Sequence, residues 1–301
     1  MLHRSLLVAL ALAWATAARA QDLEPRSYAN TPVGLNFLVA AYAYSTGGVA
    51  VDASIPLDKA HIDVHSEVFA YARSFGLFGR SAKFDAILPV AELSGSAEFA
   101  GMPVNRNVSG LADPRLRFSY NFYGAPAHTL AEHDRFPQNL ILGGSLQVVV
   151  PGGQYEDSRA VNLGNNRWAF RPELGLSKAL GRFILEMQTG AAFFTENNDW
   201  LGNGKREQDP IYYLQGHAIY GFPRGMWAAL DTIWYVGGRT TINNVENHDE
   251  QGNLRVGGTL AIPVTARHSI KLHASGAAIT RHGTDFTVVG IAWQYRWGGG
   301  L

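Results

Sequence analysis

PGGQYEDSRAVNLGNNRWAFRPELGLSK, residues 151–178, begins as a polar loop and ends with large apolar side chains at alternate positions. Trp168, Phe170, Leu174 and Leu176 fall on one face of an extended chain and Arg167, Arg171, Glu173 and Ser177 on the other, because successive side chains of a strand point to opposite sides. A soluble sheet and a membrane-spanning one both produce this alternation, so the rest of the chain decides between them.

The alternation recurs. Leu116, Phe118, Tyr120 and Phe122 alternate with Arg115, Arg117, Ser119 and Asn121, and Val289, Ile291, Trp293, Tyr295 and Trp297 alternate with Gly290, Ala292, Gln294 and Arg296. Similar segments are read at 33–45, 60–74, 82–93, 138–151, 182–195, 211–222, 226–237, 254–263 and 269–278, about twelve in all, each near the 9–11 residues of a tilted transmembrane strand. The segment 226–237 is less clean, since Trp227 and Ile233 share a side with Asp231.

The connections differ in length. KALGR (178–182), FPRG (222–225) and VTARH (264–268) are tight, whereas 151–166, 196–210 and 238–252 are long and rich in Asn, Gly and Asp. Short periplasmic turns and long external loops are the pattern of an outer-membrane barrel. Two connections depart from it: 123–137 should be a short turn yet is long, and 280–284 should be a long loop yet is short.

The ends and composition agree. MLHRSLLVALALAWATAARA (1–20) reads as a secretory signal peptide, a basic start and an apolar stretch followed by small residues, with cleavage expected near Ala20 and the barrel over 21–301. No later stretch approaches the roughly 20 apolar residues of a membrane helix. The absence of cysteine removes disulfides, thiolate ligands and a cysteine-borne lipid anchor. With 25 basic and 25 acidic residues and no long basic run, nucleic acid is not an expected partner.

The expected fold is therefore all-β: a closed antiparallel transmembrane β-barrel of about twelve strands. Closure is required because an unpaired backbone group in hydrocarbon costs several kcal/mol. A secreted β-sandwich is the competing fold, but its inner face would have to bury Arg115, Arg117, Arg171, Glu173, Glu186 and Lys271 together, at heavy desolvation cost. Lumen-lining residues are accordingly expected at Asp63, His65, Glu67, Lys83, Asp85, Arg115, Arg117, Arg171, Glu173, Glu186, Lys271, His273 and Arg296. Trp168, Phe222, Trp293 and Trp297, at strand ends, are expected in the interfacial aromatic girdles.

Three stretches resemble a known family, the outer-membrane transporters associated with the meta-cleavage pathway of phenol degradation. They are PGGQY (151–155) with VNLG (161–164), NRW (166–168) and FRPE (170–173); GLADPRLRF (110–118); and the closing WQYRWG (293–298). Within the first, Gly152, Tyr155, Asn162, Gly164 and Asn166 form the signature loop. The terminal Gly299, Gly300 and Leu301 depart from the final aromatic residue common in such barrels. The resemblance implies a passive channel for small, aromatic or otherwise hydrophobic molecules, with no catalytic set and no cofactor.

Other chemistry is weakly signalled. His61 and His65 share a strand face with Asp63 and Glu67, which suits a lumen hydrogen-bond network better than a metal site. His128 and His133 bracket Glu132 in a stretch that reads as a solvated loop. An outer-membrane lipase would need Ser, His and an orienting partner on adjacent strands; Ser275 with His273 is the nearest approach. GNGK (202–205) lacks the strand-then-helix setting of a phosphate loop. A structural barrel without transport, its interior zipped by salt bridges, is the remaining alternative. Expected partners are the lipid bilayer, a small solute and, during biogenesis, the barrel-assembly machinery.

Overall fold

A computed structural model describes residues 23–48, 57–99, 102–159, 161–281 and 285–301, so the expected signal peptide lies outside the described residues. Strands β1 (Leu35–Gly48), β2 (Leu57–Leu77), β3 (Arg80–Phe99), β4 (Met102–Leu111), β5 (Arg115–Tyr123), β6 (Leu140–Val149), β7 (Ala169–Leu180) and β8 (Phe183–Phe194) run antiparallel in chain order. The circuit continues through β11 (Ile211–Gly221), β12 (Trp227–Gly237), β15 (Gln251–Pro263), β16 (His268–Ile279) and β17 (Thr287–Gly298). Pairing of β1 with both β17 and β2, and of β2 with β3, closes the 13-stranded sheet on itself. Because β4 and β5 lie end to end along β3, the thirteen strands make twelve crossings of a closed barrel. This is the expected fold, and it excludes a two-layered sandwich.

One end carries tight connections, such as Phe78–Gly79 and Gly181–Arg182; the other carries the long loops. Two of those loops add β9 (Asn197–Trp200), β10 (Gly204–Gln208), β13 (Thr240–Ile242) and β14 (Val245–Glu246), which pair as a separate four-stranded sheet. The long connection at the turn end contains one helical turn, α1 (Leu130–His133), closed by a capping box between Thr129 and Glu132. Its helical turn has no buried residue, as expected of a solvated loop, but the base of the connection is packed against the barrel. Ala125 is fully buried, His128 meets the Phe136 ring edge-on at 4.8 Å, and the His128 carbonyl accepts a hydrogen bond from the Val33 N–H at 2.9 Å.

The outward face is apolar across the central band of the wall: Leu116, Phe118, Leu146, Phe170, Leu174, Leu185, Leu214 and Ile291 are all exposed. A continuous belt of that size is unstable in water and matches hydrocarbon. Phe222, Trp293 and Trp297 face outward near the turn end, with Tyr295 and Trp297 stacked at 5.5 Å, and Trp168 faces outward at the loop end.

Three expected lumen residues are corrected. Asp63, His65 and Glu67 share their parity on β2 with Phe69 and Tyr71, which are 49% and 36% exposed, whereas the opposite parity holds buried Ile62 and Ser74. They therefore face outward. β2 and β3 are 21 and 20 residues long, roughly twice what a bilayer needs, so their loop-end halves rise beyond the apolar belt. There Tyr44 Oη donates to Asp63 at 2.6 Å, Tyr42 Oη meets His65 Nδ1 at 2.6 Å and Thr46 Oγ1 meets His61 Nε2 at 3.0 Å, a network on the outside of the wall.

Candidate functional site

Residues 23–34 fold back into the barrel and occupy its interior. The segment is held at several points along its length. The Glu24 carboxylate binds the Arg117 guanidinium, which also donates to Asp85 at 3.1 Å. The Arg26 backbone N–H donates to Glu186 at 2.6 Å, and its guanidinium lies 5.6 Å from the Trp227 ring. Gln188 Nε2 donates to the Glu24 carbonyl at 3.3 Å. Ser74 Oγ donates to the Pro32 carbonyl at 2.5 Å and accepts from the Leu35 N–H at 3.1 Å, fixing the point where the segment joins the wall.

Tyr28 is the deepest of these anchors, at 1% exposure. Its ring lies against Gly143 of β6 and Gly175 of β7, which are register partners. A Cβ on Gly175 would stand 2.0 Å from the Tyr28 ring, and one on Gly143 would stand 2.5 Å from it. Tyr28 Oη donates to Glu173 at 2.8 Å, and Tyr213 Oη donates to the second oxygen of the same carboxylate at 3.0 Å. Burial first, and the Glu173 charge second, hold the Tyr28 phenol far above its ordinary range, so it remains a donor. Burial alone would raise the Glu24 carboxyl, but Arg117 beside it, with Lys83 and Lys271 behind, holds it well below the usual carboxylate range.

A cavity of about 30 Å³ remains between Glu24, Arg117, Arg171, Glu173 and Tyr213. That admits a water molecule but no aromatic ring.

Lys83, Asp85, Arg115, Arg117, Arg171, Glu173, Glu186, Lys271, His273 and Arg296 lie on the inward parity of their strands. They do not form one cluster. Lys83 pairs with Asp85 at 3.6 Å, Arg171 lies over Tyr213 at 5.7 Å, and Arg296 Nε donates to the Ala266 carbonyl at 2.7 Å at the turn end. Sequence reading missed the second interior array: His217 Nδ1 meets Asp231 at 2.7 Å, and Thr259 Oγ1 donates to the other Asp231 oxygen at 2.8 Å. Both His217 and Asp231 side chains are essentially inaccessible. Among the described residues no serine is bonded to His217 Nε2, and Ser275 Oγ instead accepts from Arg255 at 3.2 Å, so no hydrolytic triad is assembled there. No group of three His, Asp or Glu side chains among the described residues is placed to hold a metal ion.

At the loop end the signature stretch has a structural centre that sequence reading also missed. Asp113, 1% exposed, accepts from the Gly153 N–H at 3.1 Å, the Asn165 N–H at 2.8 Å and Asn165 Nδ2 at 2.9 Å. Gly164 must be glycine because a Cβ would stand 2.8 Å from the Gly153 carbonyl oxygen. Gly152, its N–H donating to the Val150 carbonyl at 2.8 Å, starts the loop against the Pro114 ring. Asn162 Nδ2 donates to the Glu156 and Arg159 carbonyls, Tyr155 Oη donates to the Asp199 carbonyl at 2.9 Å, and Asn166 Nδ2 reaches Asp199 at 3.1 Å. These bonds tie loop 151–166 to the β9–β10 loop.

The tied loops close the mouth with an apolar cluster: Ile62 and Leu93 from the inner wall, Val161 and Leu163 from the signature loop, Trp200 from β9, and Phe286. The wall beside this cluster has a seam. β4 hydrogen-bonds along its length only to β3 among the described residues, while its continuation β5 pairs with both β3 and β6. The signature loop covers the seam, the Gln154 N–H donating to the Leu111 carbonyl at 2.7 Å and Arg106 Nε to the Val161 carbonyl at 3.2 Å.

Known structures share this architecture. The COG4313 outer membrane channel from Pseudomonas putida F1 superposes with a TM-score of 0.79 at 21% identity, over 92% of this chain and 100% of that one. The beta domain of the Bordetella autotransporter BrkA gives 0.54 at 10% identity over 88% of this chain and 100% of that one. The transport unit of the Escherichia coli autotransporter AIDA-I gives 0.51 at 8% identity over 93% and 94%. At these identities the likeness is one of fold. No curated protein matches the chain. A family model matches residues 8–278, nearly the whole chain, and by that match the chain belongs to the family described as "Putative MetA-pathway of phenol degradation".

Proposed function

We propose that the chain is an outer-membrane channel for small, aromatic or otherwise hydrophobic molecules that move down their gradient, exported after signal-peptide cleavage near Ala20 and inserted by the barrel-assembly machinery. The observation that carries the reading is the contrast between the two closures. The interior is occupied by residues 23–34, and the cavity beside Glu24 and Arg117 holds about 30 Å³, room for a water molecule but not for an aromatic ring. The loop-end mouth is apolar and adjoins the seam at β4. An apolar solute exchanges contacts there at little cost, whereas a hydrated one must shed its water. The solute leaves either through the interior once the segment withdraws, or sideways through the seam once the signature loop lifts. The protein needs no chemistry of its own for either route. The known structures with this fold that are channels support the reading, as does the family's connection to phenol degradation.

Uptake of a labelled aromatic hydrocarbon into cells with an intact lipopolysaccharide leaflet tests it, with planar-bilayer ion conductance measured beside it. Uptake several-fold above cells lacking the chain, with conductance far below that of an open porin, is the expected pair of results. Equal uptake with and without the chain makes it a structural barrel, and a large ohmic conductance without aromatic uptake makes it a polar pore.

A further inference from the structure

The Tyr28 anchor is built in a way that a simple tether does not require. An interior segment can be pinned by any apolar side chain in any apolar recess. Here β6 and β7 each place a glycine under one ring, in register, at the centre of the barrel wall. Neither glycine has the positive φ that would call for glycine on backbone grounds. Glycine inside a strand weakens it and marks the close approach of another group. Together they leave a bare recess in the wall on which the ring lies, Gly143 clearing the Asn121 side chain as well. At the far end of the recess the Glu173 carboxylate accepts the phenol at 2.8 Å, with Ser145 Oγ at 3.4 Å, and the same carboxylate already accepts a second phenol, that of Tyr213. A cavity of about 30 Å³ shares Ser145 and Glu173 with this end of the recess.

We propose that this recess is a binding site for a phenolic solute, and that Tyr28 is its tethered resident, which the solute displaces to release residues 23–34. The bare backbone at Gly143 and Gly175 lets a flat aromatic body lie against the wall where a side chain would stand. The Glu173 oxygen selects a hydroxyl, because an arene without one leaves a buried carboxylate oxygen unpaired. Displacement is a competition with an intramolecular occupant, whose effective concentration on a short linker is of millimolar order, so free phenols act in that range or above. The inference deepens the channel reading and takes its physiological meaning from it, but its measurement involves no transport.

The test uses the full chain in detergent, with p-cresol, the free counterpart of the Tyr28 side chain, and toluene, which lacks the hydroxyl. Hydrogen–deuterium exchange over residues 23–34 is followed in the wild-type chain, and binding is followed by calorimetry in Tyr28→Ala and in Tyr28→Ala with Gly175→Ala. We expect p-cresol to raise exchange of the segment at concentrations where toluene does not. We also expect Tyr28→Ala to bind p-cresol at least ten-fold more tightly than toluene, as one hydrogen bond to a charged group implies, and the added Gly175→Ala to abolish that binding. Unchanged exchange in the wild type at p-cresol about ten-fold above that millimolar range, when Tyr28→Ala binds it, overturns the proposal, and so does binding that ignores the hydroxyl or the alanine. Aromatic uptake by cells that persists alongside such a result leaves the channel reading standing without the recess, and loss of uptake with intact p-cresol binding does the reverse.

Discussion

The Glu24 carboxylate and the Arg117 guanidinium, far apart in the chain, form an ion pair in the barrel interior, and Arg117 is at the same time bound to Asp85 of the wall at 3.1 Å. The second partner matters to the energetics. Loss of Glu24 leaves Arg117 paired, so the segment can leave without stranding a buried charge.

Glu24→Gln should therefore loosen residues 23–34 without unfolding the barrel. Exchanging a charge-assisted bond for a neutral one weakens docking by about 1–1.5 kcal/mol, which raises the open fraction roughly five- to ten-fold. More frequent opening events in planar-bilayer recordings, with unaltered heat-modifiable gel mobility, are the expected readout. Recordings identical to the wild type would show that the pair does not hold the segment.

The same pair sets a pH dependence. A carboxyl held below its ordinary value of 4.5 contributes in full while the pH stays above that value, and the contribution is lost as pH falls below it toward the depressed value. Its contribution should therefore be flat from about pH 8 to pH 5 and decline only in stronger acid. Glu24→Gln, having no charge to lose, should not show that acid limb, and the difference between the two recordings isolates it.

Gly143→Ala should expel Tyr28. The added methyl would stand 2.5 Å from the ring, and overpacking of this kind costs about 1–3 kcal/mol. Limited proteolysis should cut within residues 23–34 of the variant and spare the wild type. A protected segment in Gly143→Ala would mean that the ring has somewhere else to go.

Asp113→Ala removes the acceptor of three hydrogen bonds, two of them from backbone N–H groups, at a nearly inaccessible site. Unsatisfied buried donors cost about 1–3 kcal/mol each, so the loop 151–166 should detach from β4 while the twelve crossings persist. Proteolytic nicking confined to that loop, with aromatic uptake increased, is expected if the seam is a route. Unchanged uptake from a demonstrably open loop would assign passage to the interior instead.

Leu174→Arg places a charge on the outward face at the middle of β7, where the leucine is 61% exposed. In hydrocarbon this costs about 2–4 kcal/mol. Folding into vesicles should be weakened by that amount, while Asn105→Arg, outward on β4 but beyond the apolar belt, should be far milder. Equal effects would mean that the apolar belt does not meet lipid.

The crossings were legible because each buries one face against lipid and exposes the other to a polar interior, which writes a period of two into the sequence; residues 167–178 show it most plainly. β4 was not legible, since its outward residues Asn105, Asn107 and Ser109 lie beyond the apolar belt and lack the pattern. Periodicity also identifies faces without saying which is inward. Phe69 and Tyr71, on the same parity as Asp63, His65 and Glu67, carried that information and would have reversed the assignment. The interior segment was hidden for a different reason. Residues 23–34 have no period, and their partners are spread from Ser74 to Ile233, so no local signal exists. Its trace was present on the other side of the contact: Trp227 and Ile233 disturb the alternation of β12 because Trp227 lies under Arg26 and Ile233 belongs to the apolar cluster against which Leu23 packs.

The segment meets the wall at Gly34, whose φ of 82° lets the chain reverse direction before β1 begins. A chain pivoting there has a fully extended reach of about 40 Å over residues 23–34, enough to swing clear of the bore while staying attached. Return is then a unimolecular event, independent of how much protein the membrane holds, and the search by a tether of this length takes on the order of 100 ns. With residues 23–34 withdrawing as proposed, a conduit stoppered in this way resets itself between passages, and its leak is governed by a handful of side-chain bonds.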